Sequence, residues 1–205
     1  VIGADGIGST VRGALGLEYP GFDLPDQWSI ADVECLDWRD PTMFQGFLLE
    51  QGNVCIVAPL EATRFRVISS TADALAALPV PMDVTRVRRS GAFTISVRQV
   101  TDYCVGRVAL AGDAAHCHSP AGGRGMNLGI ADAADLAARI LRGDLGGYSA
   151  ARHAEGAHVL TFSERGRRAL QARNPLARLA VRSLARTAAA IPPFGRAAMR
   201  QFVNG

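Results

Sequence analysis

The segment that most constrains the fold runs from Val108 to Leu141. Val108-Ala109-Leu110-Ala111 is a short, unbroken apolar run, the pattern of a parallel strand buried on both faces. It stops at Gly112-Asp113 and passes into a glycine-rich stretch, Gly122 to Gly125. Apolar residues then recur at helical spacing: Met126, Ile130, Ala133, Ala134, Ala137, Ile140 and Leu141. Strand, glycine turn and helix in this order place a ligand at the carboxyl end of the strand, as open α/β sheets do. Asp113 can accept hydrogen bonds from a polyol there. The glycines let backbone approach a flat ligand without Cβ clashes, and the helix start offers free N–H groups and the positive end of its dipole. A glycine-rich turn with a capping Asp would explain a lone Gly-Asp, but not the whole run.

The rest of the chain divides by texture. Val1–Ala4 is predicted as a strand end and Ser9–Leu15 as a short helix closed by Gly16. From Phe22 to Gln99, β-rich runs (Trp28–Val33, Phe44–Leu49, Val54–Ala58, Phe65–Ser69, Ala92–Val97) alternate with Pro, Gly, Asp and Asn, predicting an antiparallel sheet. One helix is expected within it, over Ala72–Leu78, ahead of Pro79 and Pro81. Helices are predicted over Tyr148–Gln171 and Leu176–Ala190, followed after Pro192 and Pro193 by a short one ending near Phe202. The expected class is α/β with an α+β insert. Residues 1–21 and 100–171 would form one part, 22–99 a β-rich unit, and 172–205 the C-terminal helices.

Composition narrows the chemistry. Of 205 residues, 48% are hydrophobic and 20% charged, which describes a globular chain. There is no lysine, so a P-loop and Schiff-base catalysis by this segment are excluded. No G-x-S-x-G elbow is present. A net charge of +3 is too small to argue for nucleic acid. The charge is uneven: residues 1–150 hold 12 Arg against 17 acids, and residues 151–205 hold 10 against 2. Arg178, Arg182 and Arg186 form a basic stripe beside leucines, read as a solvated face rather than a membrane-binding one. Cys35, Cys55, Cys104 and Cys117 lack C-x-x-C spacing and read as reduced thiols. With no signal peptide at Val1, they point to a cytoplasmic protein. His116, Cys117 and His118 are adjacent, a poor arrangement for one metal ion, and no metal site is expected. Trp28, Phe44, Phe47 and Phe93 are read as core sooner than as cavity lining.

Two stretches together carry a family resemblance. Gly106 through Ala133 resembles the "GD" motif of class A FAD-dependent monooxygenases, the para-hydroxybenzoate hydroxylase-like aromatic hydroxylases. Gly3-Ala4-Asp5-Gly6-Ile7-Gly8-Ser9-Thr10-Val11-Arg12 resembles their "DG" motif. The resemblance covers nearly the whole chain and is loosest in the insert and the C-terminal helices.

It implies part of an FAD-binding Rossmann-like domain, an antiparallel substrate domain and C-terminal helices. Asp113 would take the ribityl hydroxyls. Pro120 and the loop with Gly122, Gly123 and Gly125 would lie along the isoalloxazine ring, with the amides of Met126 and Asn127 at its N1/O2 edge. Gly112 opens the turn, while Asp5, Gly6, Ser9 and Arg12 hold the DG turn. Arg124 stands where relatives often carry Gln. The implied reaction is hydroxylation of an aromatic or polyketide-like molecule with O2, driven by NADH or NADPH, through a C4a-hydroperoxyflavin. No acid or base can be named. The family's G-x-G-x-x-G is not present, since Gly3 to Gly8 has the wrong spacing. The chain is therefore expected to be a C-terminal portion. The alternatives are another FAD oxidoreductase of this fold (epoxidase, halogenase or prenyl reductase) and a cofactor-free binding fragment. Oligomeric state is left open.

Overall fold

The computed structural model describes residues 1–120 and 123–190. Gly122 and the predicted short helix ending near Phe202 lie outside the described residues. The chain forms two compact units, one of Val1–Asp23 with Ser96–Arg167 and one of Leu24–Ile95 with Arg168–Ala190.

The first unit is built on a three-stranded sheet. Strand β1 (Ile2–Gly3) lies parallel to β8 (Val108–Leu110), and β7 (Cys104–Val105) closes the other side antiparallel. The strands predicted at Val1–Ala4 and at Val108–Ala111, in the middle of the sequence, thus pair with each other. Gly3 is required by closeness: a Cβ there would stand 2.6 Å from Leu110 and 2.9 Å from Val11. Helix α1 (Thr10–Ala14) is capped by Ser9, whose Oγ accepts the Arg12 amide at 3.0 Å, and ends at Gly16 with φ +64°. The core joins Val100, Leu110, Ala114, Leu136, Tyr103 and Tyr148, the two tyrosine rings meeting edge-on at 6.4 Å.

Helices α2 (Gly125–Arg142) and α3 (Tyr148–Leu170) complete this unit's part of the fold. The inward face of α2 differs from the one predicted. Leu128, Asp132 and Leu136 are buried, whereas Met126, Ile130, Ile140 and Leu141 are exposed. Gly129, where a Cβ would lie only 3.3 Å from the Gly112 Cα, lets the helix approach the turn closely beside Leu128 and Asp132.

The second unit is the antiparallel sheet, ordered β3 (Gln45–Leu48), β4 (Val54–Glu61), β5 (Arg64–Ser69), β2 (Gly21–Glu34) and β6 (Arg86–Gln99). Beyond it, in the first unit, Arg98 and Gln99 at the end of β6 pair with β9 (His116–Cys117). Register follows the alternation: Ala31 opposes Val67 and Val57 opposes Val67 on one face, forming a core with Val33, Cys55, Phe65 and Trp38. Phe47 packs against this core. Burial pushes the Cys55 thiol up to about 11. The helix expected over Ala72–Leu78 is a run of turns instead. Asp73 Oδ1 accepts the amides of Leu75 and Ala76, and Pro79 leaves the chain no room to propagate. Strand β6 starts six residues before the predicted Ala92, because the exposed Arg86, Arg88 and Arg89 hide the strand pattern. Phe44 and Phe93 are exposed, while Trp28 is buried.

Two arginines of helix α4 (Pro175–Ala190) reach backbone carbonyls, Arg178 half-buried and Arg182 exposed. Arg178 Nη2 donates to the Leu49 carbonyl at 2.5 Å and Arg182 Nη2 to that of Leu48 at 3.4 Å. Arg186 lies outside the described side chains. Leu176, Leu179 and Leu184 are exposed. Among the described residues no helix is long and apolar enough to cross a membrane, and all four cysteines are free.

Candidate functional site

The site forms where β8 ends. Gly112 leaves the strand at φ +62°, a conformation that glycine adopts without the Cβ penalty, and starts a single turn of 3-10 helix over Gly112–Ala114. The Gly112 amide and all three carbonyls of this turn are engaged. The Gly112 amide donates to Asp132 Oδ2 at 2.9 Å. The Gly112 carbonyl accepts the Ala115 amide at 2.8 Å. The Tyr19 hydroxyl lies 3.0 Å from the Asp113 carbonyl, and Arg12 Nη1 donates to the Ala114 carbonyl at 2.9 Å. What the turn leaves over is the Asp113 side chain. It is exposed, and among the described residues no group donates to its carboxylate.

The DG segment braces this turn from the other side. Asp5 spends its carboxylate internally, with Oδ1 accepting from Ser9 Oγ at 2.5 Å and Oδ2 from the Thr10 amide at 2.8 Å and Thr10 Oγ1 at 2.9 Å. These bonds, led by the one from Ser9, hold Asp5 well below the usual carboxylate range. Gly6 takes φ +83° to make the turn. Arg12 also donates to the Ile7 carbonyl at 2.6 Å, and its guanidinium sits 4.0 Å from the Tyr19 ring centroid. Arg12 thus reaches the GD turn, while Asp5 and Gly6 shape the DG turn itself.

Beyond the turn, Pro120 is exposed, Gly123 takes φ +62° and α2 opens at Gly125 with no side chain capping its first turn. Met126 and Asn127 are exposed at this start. Arg124 lies over the Phe162 ring at 4.6 Å. His118 sits against Gly125: its Nδ1 donates to the Ser119 carbonyl at 2.9 Å, while Nε2 is buried without a partner. Burial holds His118 below the usual imidazole range.

His116, next to the turn, has a structural role. It is buried, and Nε2 lies 2.6 Å from Asp132 Oδ2. Four participants escaped the sequence reading: Tyr19, His118, Asp132 and Arg152. Only Asp132 left a signal, as the lone acid on the Leu128–Asp132–Leu136 face of a helix.

An acid with no partner among the described residues, a glycine loop and a helix start without a bonded N-cap side chain, all at the end of a parallel strand, form a candidate nucleotide-cofactor site. The donor set suits FAD: a carboxylate for ribityl hydroxyls and a helix N-terminus for the edge that becomes anionic on reduction. The chain belongs to the FAD binding domain family, whose profile matches residues 61–163, just over half of it. It is 34% identical over 157 residues to pentachlorophenol 4-monooxygenase of Sphingobium chlorophenolicum, covering 68% of this chain and 29% of that protein. To 6-methylpretetramide 4-monooxygenase of Streptomyces rimosus it is 32% identical over 210 residues, covering 88% and 37%. The solved structure of the OxyS anhydrotetracycline hydroxylase from Streptomyces rimosus superposes with a TM-score of 0.66 at 29% identity, over 99% of this chain and 45% of that one. The chain spans about a third of the length of these curated relatives.

Proposed function

We infer that this chain is the flavin-ring-facing part of an FAD-dependent monooxygenase. The protein would use NADH or NADPH to hydroxylate an aromatic or polyketide-like small molecule, consuming O2 and releasing water. The observation that carries this reading is the exposed Asp113 carboxylate, to which no described residue donates, on a turn held at the Gly112 amide and at its carbonyls. Relatives that act on phenolic and tetracycline-type compounds support it.

Bound FAD would supply hydride acceptance and oxygen activation, chemistry that no side chain here can perform. The chain's residues bind and orient. Asp113 accepts hydrogen bonds from the ribityl hydroxyls. Pro120 and the loop with Gly122, Gly123 and Gly125 would hold the ring, and the amides of Met126 and Asn127 would stabilise its reduced, anionic form. Asp5, Gly6 and Arg12 act one step back, through the turn carbonyls that Arg12 fixes. Residues 1–21 and 100–171 carry the cofactor, 22–99 the substrate contacts and 172–205 the C-terminal helices. A cytoplasmic setting suits the four free thiols.

The test is oxygen labelling. Incubated with FAD, NADH or NADPH, phenolic and polycyclic aromatic candidates, and 18O2, the protein is expected to yield product carrying one labelled oxygen. Nicotinamide consumption with product lacking the label would replace the monooxygenase reading with a reductase one.

A further inference from the structure

The first unit buries a charge cluster that no cofactor contact explains. The Asp132 side chain is 0% exposed and that of Arg152 is 11% exposed, with Arg152 Nε donating to Asp132 Oδ1 at 2.7 Å. The other oxygen, Oδ2, is shared by His116 Nε2 at 2.6 Å and the Gly112 amide at 2.9 Å. Arg152 belongs to α3, outside both glycine motifs.

We propose that Arg152 is a positioning residue: by holding Asp132 it locks the Gly112 amide, and so fixes the turn that presents Asp113 to the flavin. The proposal rests on the flavin reading above for its purpose, but not for its geometry.

A buried ion pair is a poor device for stability alone, since apolar residues of similar volume often serve as well or better. What the pair supplies is direction. Asp132 is the only group on the inner face of α2 that can accept from the amide of a residue at φ +62°. One oxygen fixed by Arg152 aims the other at Gly112. The Gly112–Gly129 approach leaves no room for a side chain to intervene. Without Arg152, His116 and a single amide would face a fully buried carboxylate.

The groups facing Asp132 are few. They are His116 from β9, Gly112 from the turn, Arg152 from α3, and the Tyr103 and Tyr148 rings beside it. Asp135, one turn along, is engaged by Arg139. Burial pushes Asp132 up, but the bonds from His116, Gly112 and Arg152 outweigh it and hold the group below the usual carboxylate range. A depressed carboxylate contributes above its unfolded value and loses that contribution as pH falls through the folded one. Removing Arg152 raises the folded value, so the grip on Gly112 fails at a higher pH.

Amide hydrogen exchange on the 205-residue chain tests this without cofactor. Native protein, Arg152→Lys, Arg152→Met and the Arg152→Met/Asp132→Asn double variant are compared across an acid pH series. Gly112 exchange should rise at least about tenfold in Arg152→Met while β5 amides in the other unit stay unchanged. The double variant should recover melting temperature over Arg152→Met by removing the stranded charge, without recovering Gly112 protection. Arg152→Lys should stay folded, with Gly112 protection lost at a pH between those of the native and Met proteins. Equal acceleration in β5 and the turn, or no change at Gly112, overturns the proposal. If Arg152→Met does not fold, the Lys variant decides, and an unmoved pH profile overturns it. A parallel FAD titration by visible absorbance is read separately: failure of the native chain to bind counts against the flavin reading and leaves the exchange result standing.

Discussion

Tyr19 reaches from the segment after α1 to the Asp113 carbonyl across 3.0 Å, with Cys117 Sγ at the same distance. One phenol thus joins the DG segment to the cofactor turn, 94 residues away in sequence. Tyr19→Phe keeps the ring under Arg12 and removes only the hydroxyl, so it should cost about 1 kcal/mol. Burial raises the Tyr19 hydroxyl well above its ordinary range. Its contribution is therefore complete below about pH 10 and fades only in stronger base. Urea melts of the two proteins at neutral pH should differ by this amount, and coincident curves would remove Tyr19 from the account.

Gly129 separates two opposing effects. Alanine gains about 1 kcal/mol of helix propensity over glycine, but its Cβ would meet the Gly112 Cα at 3.3 Å. Gly129→Ala should be near neutral. Gly129→Val cannot be accommodated and should lose about 1–3 kcal/mol, with weaker FAD binding because α2 is pushed off the turn. A valine variant that melts like the native protein would show that the contact yields freely.

His118 predicts acid sensitivity. Its depressed folded value means that its contribution is present above about pH 6.5 and is lost as pH falls through the folded value, when protonation would put an unpaired N–H beside Gly125. His118→Gln should flatten the decline in melting temperature between about pH 7.5 and about pH 5.5. An identical decline in both proteins would assign the acid loss elsewhere.

Two arginines on one helix should behave differently. Arg178→Met, losing a 2.5 Å bond to the Leu49 carbonyl, should cost about 1 kcal/mol. Arg182→Met, losing one at 3.4 Å, should cost roughly nothing. Equal, negligible effects would restore the reading of a merely solvated stripe.

Much of this was legible because it is local. The buried strand at Val108, the helix after the glycine loop and the strands from Trp28 to Ser69 follow from short-range periodicity. The family followed from two motifs. What escaped depends on pairs distant in sequence or on which face of an element turns inward. The apolar spacing of α2 misleads about its inward face, although the small residues Gly129, Ala133 and Ala137, about one turn apart, already marked a side able to approach another backbone, as Gly129 does at Gly112. Arg152 was not singled out, since its partner is 20 residues away on another helix. Arg12 was expected to hold the DG turn; its bond to the Ala114 carbonyl, 102 residues away, left no trace in the sequence.

The missing side-chain cap at the start of α2 carries a consequence for the protein's life in the cell. A cap is worth about 1 kcal/mol to a helix, and this helix leaves the role to whatever anion arrives. Loading and ripening of the fold then become one event: at a hundredfold excess over Kd, a ligand that binds only the folded chain adds about 2.7 kcal/mol. Proteases that sample transient openings would clear molecules lacking their cofactor faster than loaded ones, so the supply of flavin would set how much of the protein persists.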